Sequence, residues 1–173
     1  MSNWIAQEAP AVCRRLEVTA DDLASVRRED AVLMLALAYM VREFETMVLD
    51  LKEQDLVHGP AHTSVGQEAV AAAAAVALRK TDLIASTHRA HGHFLAKAFV
   101  YYAPDDYQPL RDGVPTPVQR AVNKTLAEIM GLKDGWCGGR GGSMHPYDGV
   151  SGYLGPNAIV GGGIPIATGA AWA

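Results

Sequence analysis

Two groups of residues in this sequence have types and spacings suited to chemistry. The first is His88-Arg89-Ala90-His91-Gly92-His93. It directly follows Asp82–Thr87, a short apolar run that reads as a buried strand. In open α/β sheets, ligands bind outside the carboxyl ends of strands. Three histidines and an arginine at that position suit an anion, because the planar guanidinium matches phosphate bidentately and histidine adds a donor. Zinc is the rival ligand, but no Cys or carboxylate lies nearby in sequence to complete a tetrahedral set. The second group is Gly135–Gly163, which holds more than half of the chain's 17 glycines. Glycine is used densely where φ must be positive or where another group needs close access to the backbone. A flexible linker would be Ser-rich and monotonous. This stretch instead carries Arg140, Met144, His145, Tyr153, Asn157 and Val160 at single, unrepeated places, so it reads as a built site. His62 stands just ahead of a helix start, where backbone N–H groups favour negative charge. Taken alone, a loop histidine is ordinarily a surface residue.

The elements that must position these groups are legible from pattern. Thr19 is placed as an N-cap, with Asp21 and Asp22 in the first turn. Helical periodicity continues to Gln54 with a break near Arg27–Asp30. An apolar stripe runs through Leu33, Leu37, Met40, Phe44, Met47, Val48 and Leu51, with Arg42, Glu43, Glu45, Asp50 and Glu53 mostly opposite. Ser64 and Gln67 fit a capping box for a helix over 68–79 made almost entirely of alanine and valine. From Phe99 to Asn123 the composition shifts to Tyr, Asp and Pro and reads as a surface excursion. Thr116–Gln119 restarts a helix with a capping box and proline at its first position, running to about Met130 with Gly131 as C-cap. Residues 1–18 read as a lead-in, and 164–173 as the first turns of a small-residue helix. That last helix has no cap or polar finish, so further sequence or a partner is expected to follow. The class is α/β.

Composition narrows the function. With 173 residues, 49% hydrophobic and 20% charged, the chain has the make-up of one globular unit with a real core. A net charge of −4 and no basic cluster argue against nucleic acid as partner. Cys13 and Cys137 match no metal spacing and suit a reducing cytoplasm. Met1–Pro10 lacks the apolar core of a signal peptide, and Ala31–Val41 is too short to span a bilayer.

Four motifs in series carry a family resemblance: His-Thr-Ser-Val-Gly-Gln-Glu-Ala (62–69), Ser-Thr-His-Arg-Ala-His-Gly-His (86–93), Gly-Gly-Arg-Gly-Gly-Ser-Met-His (138–145) and Asn-Ala-Ile-Val-Gly (157–161). Together they resemble the N-terminal half of the α subunit of the thiamine-diphosphate-dependent E1 component of 2-oxo acid dehydrogenases, the group of pyruvate, branched-chain 2-oxo acid and acetoin dehydrogenases. The resemblance covers about residues 20–173. It implies an α/β thiamine-diphosphate-binding fold, a parallel sheet flanked by helices that is incomplete in this chain, and oxidative decarboxylation of a 2-oxo acid. It implies that His88 and Arg89 contact the cofactor's diphosphate, and that the backbone at Ala158 and Val160 faces its aminopyrimidine. His62 would line the substrate channel, with Ser143 and His145 near the reacting carbon. It also implies a β-type subunit or C-terminal half on another chain, an αβ heterotetramer, and possible transfer of the product to a lipoyl acyltransferase. The Mg2+ ligands, in a Gly-Asp-Gly motif with a downstream Asn, would fall beyond Ala173, and the activating glutamate would come from the β subunit. Pro156 and Ala158 stand where the family often has glycine, and 99–123 is longer than the usual link, its tyrosines suiting an interface or channel rim. Two alternatives stay open: an inactive scaffold fragment, and a transketolase-like two-carbon transfer. The 2-oxo acid itself is not readable from the residues.

Overall fold

The computed structural model describes residues 17–173, so nearly all of the 1–18 lead-in, Cys13 included, lies outside the described residues. The elements in order are α1 (Ala20–Ser25), α2 (Arg28–Glu53), α3 (Glu68–Ala77), β1 (Ile84–Thr87), α4 (His91–Tyr102), α5 (Thr116–Ile129), β2 (Tyr153–Asn157) and α6 (Gly163–Trp172). Thr19 caps α1 as expected. Its Oγ1 accepts from the Asp22 amide at 3.2 Å, and its own amide donates to Asp22 Oδ2 at 2.8 Å, a reciprocal capping box. The break also falls where the sequence put it: Arg27 is extended (φ −62, ψ 140) and forks onto Asp30 with two 2.8 Å bonds.

Long α2 forms the spine. Its buried face is Leu37, Val41, Phe44 and Val48, with Glu45 beside them, while Met47 is exposed. That corrects the placement of Glu45 on the outer side. The alanines of α3 let it lie close to α2 and α4: Ala71, Ala72 and Ala75 share a core with Leu37, Ala96 and Phe99. At Gly92 a Cβ would stand 3.3 Å from both Ala71 Cβ and Val41 Cγ1, so α4 approaches as near as the backbone allows. Helix α3 begins at Glu68 as expected and ends at Ala77, but Gln67 stands at its N-cap and Ser64 does not cap it. Ser64 turns inward instead, giving its amide and hydroxyl to Glu45 Oε1 at 2.8 and 2.7 Å.

Helix α5 begins at Thr116 with Pro117 in its first turn, but the expected capping box is absent because Gln119 Nε2 donates to the Val114 carbonyl at 2.8 Å. Its other end is a Schellman turn: Gly131 has φ +74, its amide bonds Glu128 O at 3.1 Å, and Leu132 N bonds Ala127 O at 2.8 Å. The stretch read as a surface excursion is irregular only between α4 and α5. Phe99, Ala103, Val118 and Ala121 are buried, because the Tyr/Asp/Pro-rich link is flanked by two helix ends that belong to the core.

Strands β1 and β2 pair in parallel, with Ile84 opposite Tyr153, Ser86 opposite Pro156 and Thr87 opposite Asn157. Two residues of β1 thus face three of β2. The additional residue makes a bulge at Leu154–Gly155, and Gly155 takes φ +104 there. Tyr153 fills the space under the pair, edge-on to Phe94 at 4.8 Å. The result is an incomplete α/β fold: a small parallel sheet with helices packed around it.

Arg42 on α2 donates to Glu68 Oε1 at 2.6 Å, and the Gly66 amide donates to the same oxygen at 2.9 Å. The Arg42 bond holds the Glu68 carboxyl down at about 2, against an ordinary 4.5. A folded-state value below the unfolded one adds stability that is fully present above about pH 4.5 and lost as pH falls toward 2. Urea midpoints should therefore separate wild type from Glu68→Gln near neutrality and converge only as pH falls to about 2.

Candidate functional site

The parallel register decides where the site lies. Because Thr87 pairs with Asn157, the residues after both strands emerge side by side at one carboxyl edge. His88 and Arg89 leave β1 there, and Ala158, Ile159 and Val160 leave β2. Asn157 shapes the second exit: its Oδ1 accepts the Ile159 amide at 2.8 Å, an Asx turn that presents the next residues outward. Ala158 and Val160 are exposed.

His62 joins this edge from the loop before α3. Its ring stands edge-on to His88, centroids 5.1 Å apart at 86°. The Arg89 guanidinium donates through Nη1 to the Thr63 carbonyl, tying that loop to β1. One of five guanidinium donors is so used. His88 Nδ1 is the buried side-chain polar atom without a hydrogen-bond partner among the described residues. Such an atom costs about 1–3 kcal/mol, a penalty that calls for a functional explanation.

Behind the edge lies a buried polar chain. Glu45 and His91 are wholly buried, and Ser143 nearly so. His91 Nδ1 donates to Glu45 Oε2 at 2.9 Å, and its Nε2 meets Ser143 Oγ at 2.9 Å and the Ser143 carbonyl at 3.1 Å. Ser143 Oγ in turn accepts the His62 amide at 3.1 Å. Ser143 is therefore buried between His91 and the His62 backbone. His145 is not gathered at all: its side chain is exposed, and its carbonyl meets Cys137 Sγ at 3.5 Å. Burial holds the Cys137 thiol above its ordinary value and the half-buried His93 below its own.

The glycine-rich segment closes on the protein's own carboxylate. Glu128, fully buried on α5, accepts the amides of Cys137 and Gly139 on Oε2 at 2.6 and 3.1 Å, and those of Gly141 and Gly142 on Oε1 at 2.6 and 3.2 Å. A Cβ at Gly135 would collide with Glu128 Oε2, and one at Gly139 would collide with the Gly131 carbonyl carbon. The loop is thus an anion nest whose anion is internal. Sequence reasoning missed Glu45 and Glu128. The signal for Glu128 was its place on the buried stripe Val118, Ala121, Thr125, Glu128, Ile129, just ahead of the glycines.

Among the described residues, no three His, Cys, Asp or Glu side chains gather as a metal set, and no helix is long and apolar enough to cross a membrane. A groove of about 420 Å³, lined by Arg27, Leu33, Asp105, Tyr107 and Leu110 among others, includes none of the candidate site residues.

Fold and site define a class: an incomplete α/β unit offering His, Arg and open backbone at paired strand ends, equipment for a phosphorylated ligand. Residues 36–102 match the model of the family described as Dehydrogenase E1 component. The α subunit of acetoin:2,6-dichlorophenolindophenol oxidoreductase from Bacillus subtilis is 38% identical over 147 residues, 85% of this chain and 38% of that one. The chloroplastic pyruvate dehydrogenase E1 component subunit alpha-3 of Oryza sativa is 34% identical over 150 residues, 87% of this chain and 30% of that one. The mitochondrial pyruvate dehydrogenase E1 α subunit of Chaetomium thermophilum is 34% identical over 134 residues, 78% and 27% of the two chains. Over these stretches the chain is similar to the dehydrogenase E1 component family, and the relatives it matches are α subunits. Its matched region spans about a third of the length of these curated relatives.

Replacing Glu128 by glutamine removes one acceptor oxygen and sets an amide N–H against backbone N–H groups. Glu128→Gln should cost about 2–4 kcal/mol in chemical denaturation. It should also shift the fluorescence of Trp136, which lies between Gly135 and Cys137 and donates to Thr125 Oγ1 at 3.0 Å.

Proposed function

We propose that residues 19–173 form the N-terminal part of a thiamine-diphosphate-binding domain and supply part of the cofactor site of a 2-oxo acid dehydrogenase E1 component. The observation that carries this is the Thr87–Asn157 pairing, which puts His88 and Arg89 beside the 158–160 exit loop. The residues fit the group. A diphosphate needs a cation and N–H donors; Arg89 offers a guanidinium fixed by Thr63, and His88 carries a ring nitrogen with no partner among the described residues. The exposed backbone of Ala158 to Val160 offers peptide groups to a flat heteroaromatic ring. When bound, the cofactor acts as the electron sink for decarboxylation of the 2-oxo acid.

This chain's own contribution is to bind and orient. Arg89 and His88 grip the diphosphate, and the Asx turn at Asn157 holds the second loop in place. His62, held against His88 and fastened by its own amide, is set to give or take a proton at the substrate's oxygen, a task that suits imidazole. The remaining parts come from elsewhere: the Mg2+ ligands and the activating glutamate lie on further sequence or on a β-type subunit, with a lipoyl acyltransferase as acceptor of the product. The two cysteines suit a reducing compartment, and we place the protein in the cytoplasm on that ground.

Calorimetry with thiamine diphosphate and Mg2+, on this chain alone and with a β-type partner, tests the reading. Metal-dependent binding in the mixture is expected, and no binding in either sample would leave an inactive scaffold as the better description. In the assembled protein, Arg89→Ala should weaken cofactor affinity by about 2 kcal/mol or more, the scale of a lost charge-assisted contact. His62→Ala should lower turnover and leave that affinity nearly intact.

A further inference from the structure

Ser143, His91 and Glu45 have the outline of a nucleophilic triad: hydroxyl to imidazole at 2.9 Å and imidazole to carboxylate at 2.9 Å. Three observations turn it from that use. Ser143 is 6% exposed and His91 and Glu45 are 0% exposed, so no acyl group reaches the hydroxyl. The neighbouring Gly141 and Gly142 amides, which would otherwise be free to hold an oxyanion, are committed to Glu128. The Ser143 oxygen is also already occupied by the His62 amide at 3.1 Å.

We infer that Glu45, His91 and Ser143 are positioning residues that set the place of His62 at the strand-end site. This rests on the proton-transfer role proposed for His62. The chain of cause is continuous. Glu45 sits on α2 and takes the Ser64 amide and hydroxyl on one oxygen and the His91 ring on the other, so a single carboxylate ties the loop after His62 to the start of α4. His91, its Nδ1–H given to that carboxylate, accepts the Ser143 hydroxyl on Nε2 at 2.9 Å. Ser143 then holds the His62 backbone from the other side. His62 is thus clamped between a neighbour two residues on, Ser64, and a residue 81 positions away in sequence. With its backbone held at both points, its ring keeps the edge-on place against His88. Side chains held by a buried supporting layer are how a site keeps geometry within a fraction of an ångström.

The test is read on the full chain with isotope-labelled histidine, free of cofactor, so it does not depend on whether thiamine diphosphate binds. In the wild type, a nuclear Overhauser cross-peak is expected between the His62 and His88 rings, with the Phe94–Tyr153 ring contact as control for the intact fold. Ser143→Ala should lose the histidine cross-peak and keep the control; Ser143→Thr, which restores the hydroxyl, should regain it. Glu45→Gln supplies the same readout should Ser143→Ala not fold, and should also lose the cross-peak. Persistence of the His62–His88 cross-peak in Ser143→Ala or Glu45→Gln would overturn the inference, as would its absence from Ser143→Thr. Labelling of Ser143 by a fluorophosphonate would overturn it too, by showing a reachable nucleophile. The cofactor calorimetry fails or succeeds separately: lost cofactor binding with the cross-peaks behaving as expected would remove the E1 reading and leave the positioning of His62 intact.

Discussion

A buried carboxylate must be met by donors, and Glu128 meets its need with four main-chain amides. An uncompensated charge of that kind costs several kcal/mol in the interior, so the loop from Cys137 to Gly142 is not free to choose its path. It must bring successive N–H groups onto two oxygens while passing close to the end of α5. Side chains at Gly135, Gly139 and Gly141 would collide with Glu128, with Gly131 or with the His145 carbonyl. The glycines are therefore required by an internal anion. The residue that emerges from this constraint is Ser143, and its position sets the inner wall of the site.

From Ser143 the dependence runs outward to the strand ends. The serine bridges His91 and the His62 amide, His91 is seated by Glu45, and the same carboxylate gathers Ser64. Two buried acids on two different helices thus hold the loops that frame the strand ends. Each acid lies on a buried stripe, the position where a charge is costliest and its partners most strictly specified. The groups gathered at the edge, His62, His88 and Arg89, are only partly buried. The division is physical. The inner layer is hydrogen-bonded throughout, while among the described residues the outer layer keeps an unpartnered ring nitrogen and spare guanidinium donors.

Much of this was legible as sequence, and the misses are instructive. The Thr19 cap, the break before α2, the alanine helix and the strand ahead of His88-Arg89 are all local patterns, set by capping chemistry and periodicity within a few residues. The Ser64 capping box failed because a distant carboxylate competed for the same hydroxyl, and Glu45 won it. The Tyr/Pro-rich stretch looked external because its turn residues dominate the composition, while Phe99, Val118 and Ala121 sit on helix faces whose burial depends on partners far along the chain. Ser143 and His145 share one motif, yet one is buried and the other exposed.

By itself the sequence determined which residue types were available for the chemistry and which short elements would carry them, since propensity, caps and glycine freedom act over a turn or two. It also carried the four motifs that mark the family. Tertiary structure alone decided their arrangement. The pairing of Thr87 with Asn157 joins segments some seventy residues apart, and the contact of Ser143 with His91 joins loop to helix across a similar span. Hydrogen-bond partners at such separations leave no periodic trace in one chain, because either end looks ordinary until the other arrives. The site is a product of register and of two buried carboxylates, and neither can be counted from composition.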